Sequence, residues 1–174
     1  MTTLKGENIY LRALEPEDLV FLYDIENDEA IWEVSNTQTP YSKHILRQYL
    51  QNAHQDIFEA KQLRLVISNF KHEALGLIDV FDFDFKHARA GVGILIKDQE
   101  NRGKGYSKEA LKLLMNYTFS HLQLHQLYCN VSEDNEASIK LFSGLGFKKI
   151  GLKKDWNLIN GSYKGEYLFQ FINS

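Results

Sequence analysis

The chain has one cysteine, Cys129, among its 174 residues. A lone thiol excludes an intramolecular disulfide framework and suits a reducing compartment. Its six histidines are scattered; His121 and His125 stand four apart, but no cysteine or carboxylate pattern completes a metal-ligand set around them. No apolar run approaches the roughly 18 residues that a membrane span needs. The opening MTTLKGENIYLR has no apolar core of the kind a signal peptide carries. Net charge is low, at −3, which argues against general nucleic-acid binding and mildly favours a cationic small partner. Repeats, low-complexity tracts and linkers are lacking as well. These absences predict a cytoplasmic protein that binds neither membrane nor nucleic acid and holds no metal.

What is present is ordinary in bulk and specific in order. With 44% hydrophobic and 25% charged residues, the chain has the size and make-up to bury a core as one domain over residues 1–174. Asn8–Leu14 alternates apolar with other residues and reads as a first strand. Glu15-Pro16-Glu17-Asp18 places a proline and acids where a helix begins. Leu19, Leu22, Tyr23 and Glu26 follow at helical spacing, to about Asn27. After the break at Thr39-Pro40-Tyr41, Ser42 is placed as an N-cap for a second helix from Lys43 to about Glu59. Strands at 63–68, 75–85 and 91–97, with turns at 69–74 and 86–89, form an antiparallel meander. A helix face of Leu111, Leu114, Met115, Thr118 and Leu122 leads to a buried strand at Gln126–Ser132, making a right-handed parallel crossover. Asn135–Leu145 is a short helix closed by Gly146. Phe147–Leu152 and Tyr163–Ile172 are the last strands, joined around Asn160-Gly161. The expected class is α+β: a mixed, mostly antiparallel sheet of about six to seven strands flanked by helices.

Between the third meander strand and its helix lies a polar turn, Asp98–Asn101, then Arg102-Gly103-Lys104-Gly105-Tyr106-Ser107. Strand, glycine loop and helix N-terminus together make an anion site, because the loop N–H groups and the helix dipole converge on one spot. A dinucleotide fold would place such a loop after the first strand of a mainly parallel sheet, with an acid about 20 residues on. Here it comes late, behind a meander. The longer GxxxxGK[ST] spacing of a P-loop is absent.

Two motifs in order narrow the reading. The loop fits Gln/Arg-x-x-Gly-x-Gly/Ala as Arg102 to Ser107, with Ser107 in the last position. A second pattern, Asn-x-x-Ser and an aromatic before Leu-Gly-Phe, stands as Asn135-Glu136-Ala137-Ser138, Phe142 and Leu145-Gly146-Phe147. With these the chain resembles the GCN5-related N-acetyltransferases (the GNAT superfamily), in the branch of ribosomal-protein N-terminal and spermidine/spermine acetyltransferases. The likeness runs from Leu11-Arg12 to Phe171. It implies an acetyltransferase fold with splayed central strands and acetyl-CoA as cosubstrate. It also implies direct transfer in a ternary complex to an amine, either a polyamine-like small molecule or a peptide or protein N-terminus. A homodimer is compatible with it. In the implied cofactor site, the N–H groups of Arg102, Gly103, Lys104, Gly105, Tyr106, Ser107 and Lys108 hold the pyrophosphate. The main chain of Leu95, Ile96 and Lys97 bonds the pantetheine as an added strand, and Asn135 and Phe142 line the pantetheine arm.

Acetyl transfer needs a deprotonated amine, a polarised thioester carbonyl and a proton for the leaving thiolate, often from a Tyr. In the polyamine and related branches that Tyr occupies the position of Phe142, which has no proton to donate, and relatives often carry Glu where Gly91 stands. Catalytic residues are therefore unassigned. Asp82 and Asp84, on one strand face with Asp79 on the other, are candidates to bind the amine or relay its proton. Plainer readings stand beside each candidate. The acids suit a solvated sheet end, Phe142, Trp32 and Tyr41 suit core packing, and Cys129 suits an inert buried thiol. His87 suits a surface hairpin, Tyr163 and Tyr167 suit strand propensity, and Glu26, Asp28 and Glu29 a common acidic helix end. A catalytically weak acyl-CoA-binding sensor or partner module of the same fold is the alternative that Phe142 and Gly91 keep open. A nucleotide-binding protein using the same loop is a third reading.

Overall fold

Seven strands carry the architecture: β1 (Ile9–Ala13), β2 (Leu63–Asn69), β3 (Ala74–Asp84), β4 (Arg89–Ile96), β5 (Gln126–Ser132), β6 (Lys148–Ile159) and β7 (Ser162–Ile172). In the computed structural model, which describes residues 3–174, they form one sheet in the order β1-β2-β3-β4-β5-β7-β6. Every neighbouring pair is antiparallel except β4 and β5. That one parallel pair is the crossover expected through the helix after the glycine loop. The hairpin between β6 and β7 turns at Asn160 and Gly161, both at positive φ (49° and 79°), the backbone that an Asn-Gly hairpin turn requires.

Six helices cover the two faces: α1 (Leu19–Glu26), α2 (Trp32–Ser35), α3 (Lys43–Gln51), α4 (Ile57–Ala60), α5 (Tyr106–Ser120) and α6 (Glu136–Gly144). Successive strand residues point to opposite faces, so Leu77 and Ile78 belong to different cores. Ile78, Val80, Ala90, Val92, Leu127, Cys129 and Phe169 pack with Ala110, Leu111 and Leu114 of α5 and with Phe142 and Phe147. On the other face Val66 and Leu77 meet Leu22, Ile25, Ile31 and Leu46, with Leu95 at the edge. This second core seats α1, α3 and the α2 segment over β2–β4 only, leaving the same face of β5 and β7 open beside them.

Several boundaries differ from the sequence reading. Ser42 caps α3 as expected, its side chain accepting from the Ile45 N–H at 3.2 Å, but the helix stops at Gln51. Asp56 then caps a new turn, accepting from the Phe58 and Glu59 N–H groups at 2.9 and 3.0 Å, so the expected run to Glu59 is two helices. The α2 turn, ended by Asn36 in the left-handed region, has too few residues to leave a period. Strand β6 continues beyond Leu152 to Ile159 through a bulge with Asp155 at positive φ. Its Lys-Asp-Asn content resembles a loop because it is an exposed edge.

The turn into α1 is held by a carboxylate. Asp18, 6% exposed, accepts from the Glu15 N–H at 2.8 Å and is clasped through both oxygens by Arg12, each at 2.8 Å. Burial disfavours the Asp18 charge, but the Arg12 hydrogen bonds and the Glu15 amide outweigh it and hold the carboxyl below its usual range. A lowered folded pKa contributes stability that is complete above the unfolded value of about 3.9 and lost as pH falls through the folded one. Asp18→Asn is expected to cost about 1–3 kcal/mol at pH 7, with the gap to wild type narrowing in urea melts as pH falls below the unfolded value of about 3.9. A gap constant across that range would assign the loss to packing instead.

Candidate active site

The parallel pair β4–β5 is short. It registers only at Arg89↔Gln126, Ala90↔Leu127 and Gly91↔Tyr128. Beyond Gly91 the strands part, while β3 stays with β4 to Ile96 and β7 stays with β5 to Ser132. The sheet is thus split into two arms, β1–β4 and β5–β7–β6, with a V-shaped gap between them. Which main-chain groups face the gap follows from alternation along β4. The Lys97 N–H donates to Leu75 O at 2.9 Å, so Lys97 and Leu95 turn their amides toward β3, and Ile94 and Ile96 turn theirs toward the gap. The expected set Leu95–Lys97 is corrected accordingly. Ile96 faces the gap, Ile94 joins it, and Leu95 and Lys97 are engaged within the sheet.

The gap opens toward the glycine loop. A 3-10 turn, Gln99–Asn101, is followed by Gly103 and Gly105 at φ +76° and +84°, a conformation that favours glycine. A Cβ built on either would meet nothing within 4 Å, so the space above this backbone is open. Gly105 is the N-cap of α5 and offers no side-chain cap, which leaves the first-turn N–H groups of Tyr106, Ser107 and Lys108 without intrahelical acceptors. The 15-residue helix adds its dipole at the same point. Lys104 and Lys108 are exposed beside it. Arg102 instead folds back, its Nη2 donating to Ile96 O at 3.2 Å, tying the loop to the end of β4. Glu109 fixes the helix end from the other side, accepting from the Asn8 and Ile9 N–H groups at 2.9 and 3.3 Å. An open, glycine-built concavity with unspent donors and positive potential fits the pyrophosphate of acetyl-CoA, and the unpaired edge of β4 fits a pantetheine amide chain.

The second motif divides. Asn135 caps α6, its Oδ1 accepting from the Ser138 N–H at 3.2 Å, which places the residue just past the open end of β5. Phe142 is 4% exposed and packs edge-to-face on Phe147 at 5.2 Å, a core side chain. Cys129, 1% exposed, is pushed up to about 12 by burial, a neutral thiol with no use as a nucleophile.

The candidate acids Asp82 and Asp84 lie beside the paired end of β4, away from the gap. A register shift between Phe81 and Asp84, with Asp82 at φ 47°, breaks the alternation that was to set them on one face. Asp82 is exposed. Asp84 accepts from the His87 N–H at 3.0 Å and pairs with Arg89 at 3.2 Å, and the His87 amide foremost holds its carboxyl below the usual range. Both belong to the hairpin rather than to the gap.

The open face beside α1 and α2 carries residues that local spacing did not reveal. Phe81 lies across Gly91, where a Cβ would come within 2.2 Å of the ring, and meets Tyr128 edge-to-face at 6.1 Å. This aromatic step sits at the apex of the V. Next to it Arg64 grips Asp79 through Nε and Nη2 at 2.7 and 3.0 Å and reaches Glu26 through Nη1. Burial works against that guanidinium, yet Asp79 above all keeps it firmly protonated. Tyr49, Arg64, Asp79 and Phe81 line a pocket of about 240 Å³. On the opposite wall Lys153 donates to Glu166 at 2.6 Å, and Asn157 to the same carboxylate at 3.0 Å. Only β-strand alternation on β7, pairing Lys164 with Glu166, could have flagged any of these from sequence.

The geometry has counterparts among known proteins. An acetyltransferase (GNAT) domain model matches residues 8–148. The spermidine N(1)-acetyltransferase of Escherichia coli K12 is 31% identical over 159 residues, covering 91% of this chain and 83% of the relative. An uncharacterized SPbeta prophage-derived N-acetyltransferase of Bacillus subtilis, YokL, is 28% identical over 163 residues, covering 94% and 89%. The crystal structure of spermidine N-acetyltransferase from Vibrio cholerae in complex with CoA and spermine superposes with a TM-score of 0.86 at 26% identity, over 96% of each chain. A split sheet with an uncapped glycine-built helix at its mouth, a family model spanning most of the chain and relatives alike along nearly its whole length agree: the chain belongs to the GNAT acetyltransferase family and is an N-acetyltransferase.

Proposed function

We propose that the protein acetylates an amine, a polyamine-like small molecule or a protein N-terminus, by direct transfer from acetyl-CoA in a ternary complex in the cytoplasm. The observation that carries this reading is the parting of β4 from β5 beyond Gly91, next to the open N-terminus of α5. Acetyl-CoA supplies the activated acetyl thioester. The N–H groups of Tyr106, Ser107 and Lys108, with the loop amides from Gly103 to Gly105, hold the pyrophosphate end, while the Arg102 N–H expected among them is spent on Gln99 O at 3.0 Å. Main-chain groups of Ile94 and Ile96 orient the arm along β4, and Asn135 closes it from the β5 side. A β4 N–H aimed into the gap polarises the acetyl carbonyl, where a fixed donor does most for developing charge. The amine arrives on the open face, past Phe81 and Tyr128. Relatives named for spermidine support an amine acceptor, and the buried, neutral Cys129 speaks against an acyl-enzyme.

Release of CoA, followed with polyamines, amino sugars and peptides as acceptors, tests the reading. Turnover with at least one class and intersecting initial-velocity lines are expected. Tight acetyl-CoA binding with no turnover on any of them would replace the reading with the sensor alternative, which the absence of a proton-bearing side chain at Phe142 keeps in play.

A further inference from the structure

The two arms of the sheet are tied across the mouth of the V by one ionic contact. Lys164 of β7 places Nζ 2.7 Å from Glu33 Oε1 of α2 and 2.7 Å from Asp134 Oδ2, in the turn before α6. Among the described residues, Glu33–Lys164 is the only polar side-chain link between residues 3–122 and 126–174. Elsewhere the arms meet through main chain at the closed end of the gap, through the Phe81–Tyr128 contact at its apex, and through apolar packing on the face that holds α5 and α6. Because α2 rests on the β1–β4 arm and Lys164 on the other, the contact spans the acceptor side of the opening.

An ammonium between two carboxylates is what an amine acceptor would itself present. We propose that Lys164 sets the charge class of the acceptor: as an internal ammonium held by Glu33 and Asp134, it reserves the mouth for amines with a single positive charge and disfavours polycations such as spermidine. This rests on the acetyltransferase reading and, of the two acceptor classes named there, selects the singly charged one, as at a protein N-terminus, over the polyamine-like one. The two walls repeat the arrangement, Arg64 occupying Glu26 and Asp79, and Lys153 occupying Glu166. One carboxylate remains in excess in each of the Arg64 and Lys164 groups, two in all, enough to draw a single ammonium inward and too few to match three or four. Hydrogen bonds to Asp134 and Glu33 push Lys164 up to about 12, so it stays charged wherever the enzyme works.

The test compares KM for spermidine and for hexylamine in wild type, Lys164→Met, Lys164→Arg and Glu33→Gln. Wild type is expected to use hexylamine at least as well as spermidine. Lys164→Met frees two carboxylates and is expected to lower the spermidine KM about tenfold, an effect that salt erodes, while the hexylamine KM moves less than about twofold. Lys164→Arg keeps the wild-type ratio. Glu33→Gln breaks the same bridge but removes a negative charge, so it raises the spermidine KM. If Lys164→Met and Glu33→Gln shift the spermidine KM in the same direction, or if Lys164→Met shifts both acceptors alike, the bridge acts mechanically and the proposal falls. Absence of turnover with every amine would instead bring down the acetyltransferase reading beneath it.

Discussion

Gly105→Glu is expected to abolish measurable acetyl-CoA binding while leaving the protein folded. Gly105 sits at φ +84° as the N-cap of α5, and a Cβ there would enter open space. That space is where the free N–H groups of the first helical turn point, so the new carboxylate would stand in the proposed pyrophosphate site. Repulsion between the two and occupation of the donors by the carboxylate both oppose binding, and an affinity loss of at least about 100-fold, near 2.7 kcal/mol, is expected by calorimetric titration. Part of any effect comes from the backbone, since a non-glycine residue in the left-handed region costs roughly 1–2 kcal/mol. Gly105→Ala carries that strain without the charge and is expected to bind acetyl-CoA at least about tenfold more tightly than Gly105→Glu. Equal affinities in the two variants would locate the pyrophosphate elsewhere.

The glycine loop could be read from sequence because its information is local. Two glycines two residues apart, after a strand and before an amphipathic face, specify left-handed turns and an uncapped helix start within a few positions. The same holds for β5, whose bounds at Gln126 and Ser132 coincide with its run of alternating apolar residues, and for the Asn160-Gly161 turn. The open face beside α1 and α2 could not be read in this way. Arg64 meets partners 38 and 15 residues away, and Lys164 meets Glu33 across 131. No periodicity records which acid a distant cation will find, so Glu26 and Asp79 looked like unrelated surface charges. The gap itself sharpened one expectation and overturned another. Alternation along β4 turns the main-chain groups of Ile94, rather than those of Leu95 and Lys97, toward the gap, and the bulge at Asp82 removed the shared face on which Asp82 and Asp84 had been paired.

The other position set apart by the resemblance was Gly91, and its neighbour Phe81 supplies the physical reason for the glycine. The two are opposed in the β3–β4 register, and the Phe81 ring lies over the Gly91 Cα so closely that a Cβ would stand 2.2 Å from Cε2 and 2.4 Å from Cζ. Phe81 in turn braces Tyr128 across the last paired rung of β4 and β5. Gly91→Glu must therefore expel the ring, and the step at the apex of the V is lost with it. The expected cost is about 3 kcal/mol, the upper end of overpacking penalties, read as a lowered urea midpoint. In a Phe81→Ala background the obstacle is gone, and the same Gly91→Glu change is expected to cost less than about 1 kcal/mol, a coupling of about 2 kcal/mol between residues in contact. Additive losses would mean that Gly91 is required for its backbone alone. The coupled result would identify Phe81 and Gly91 as one exchangeable unit, an aromatic ring in place of a strand side chain. The doubly substituted enzyme would then carry a carboxylate at the floor of the open face, beside the apex of the V.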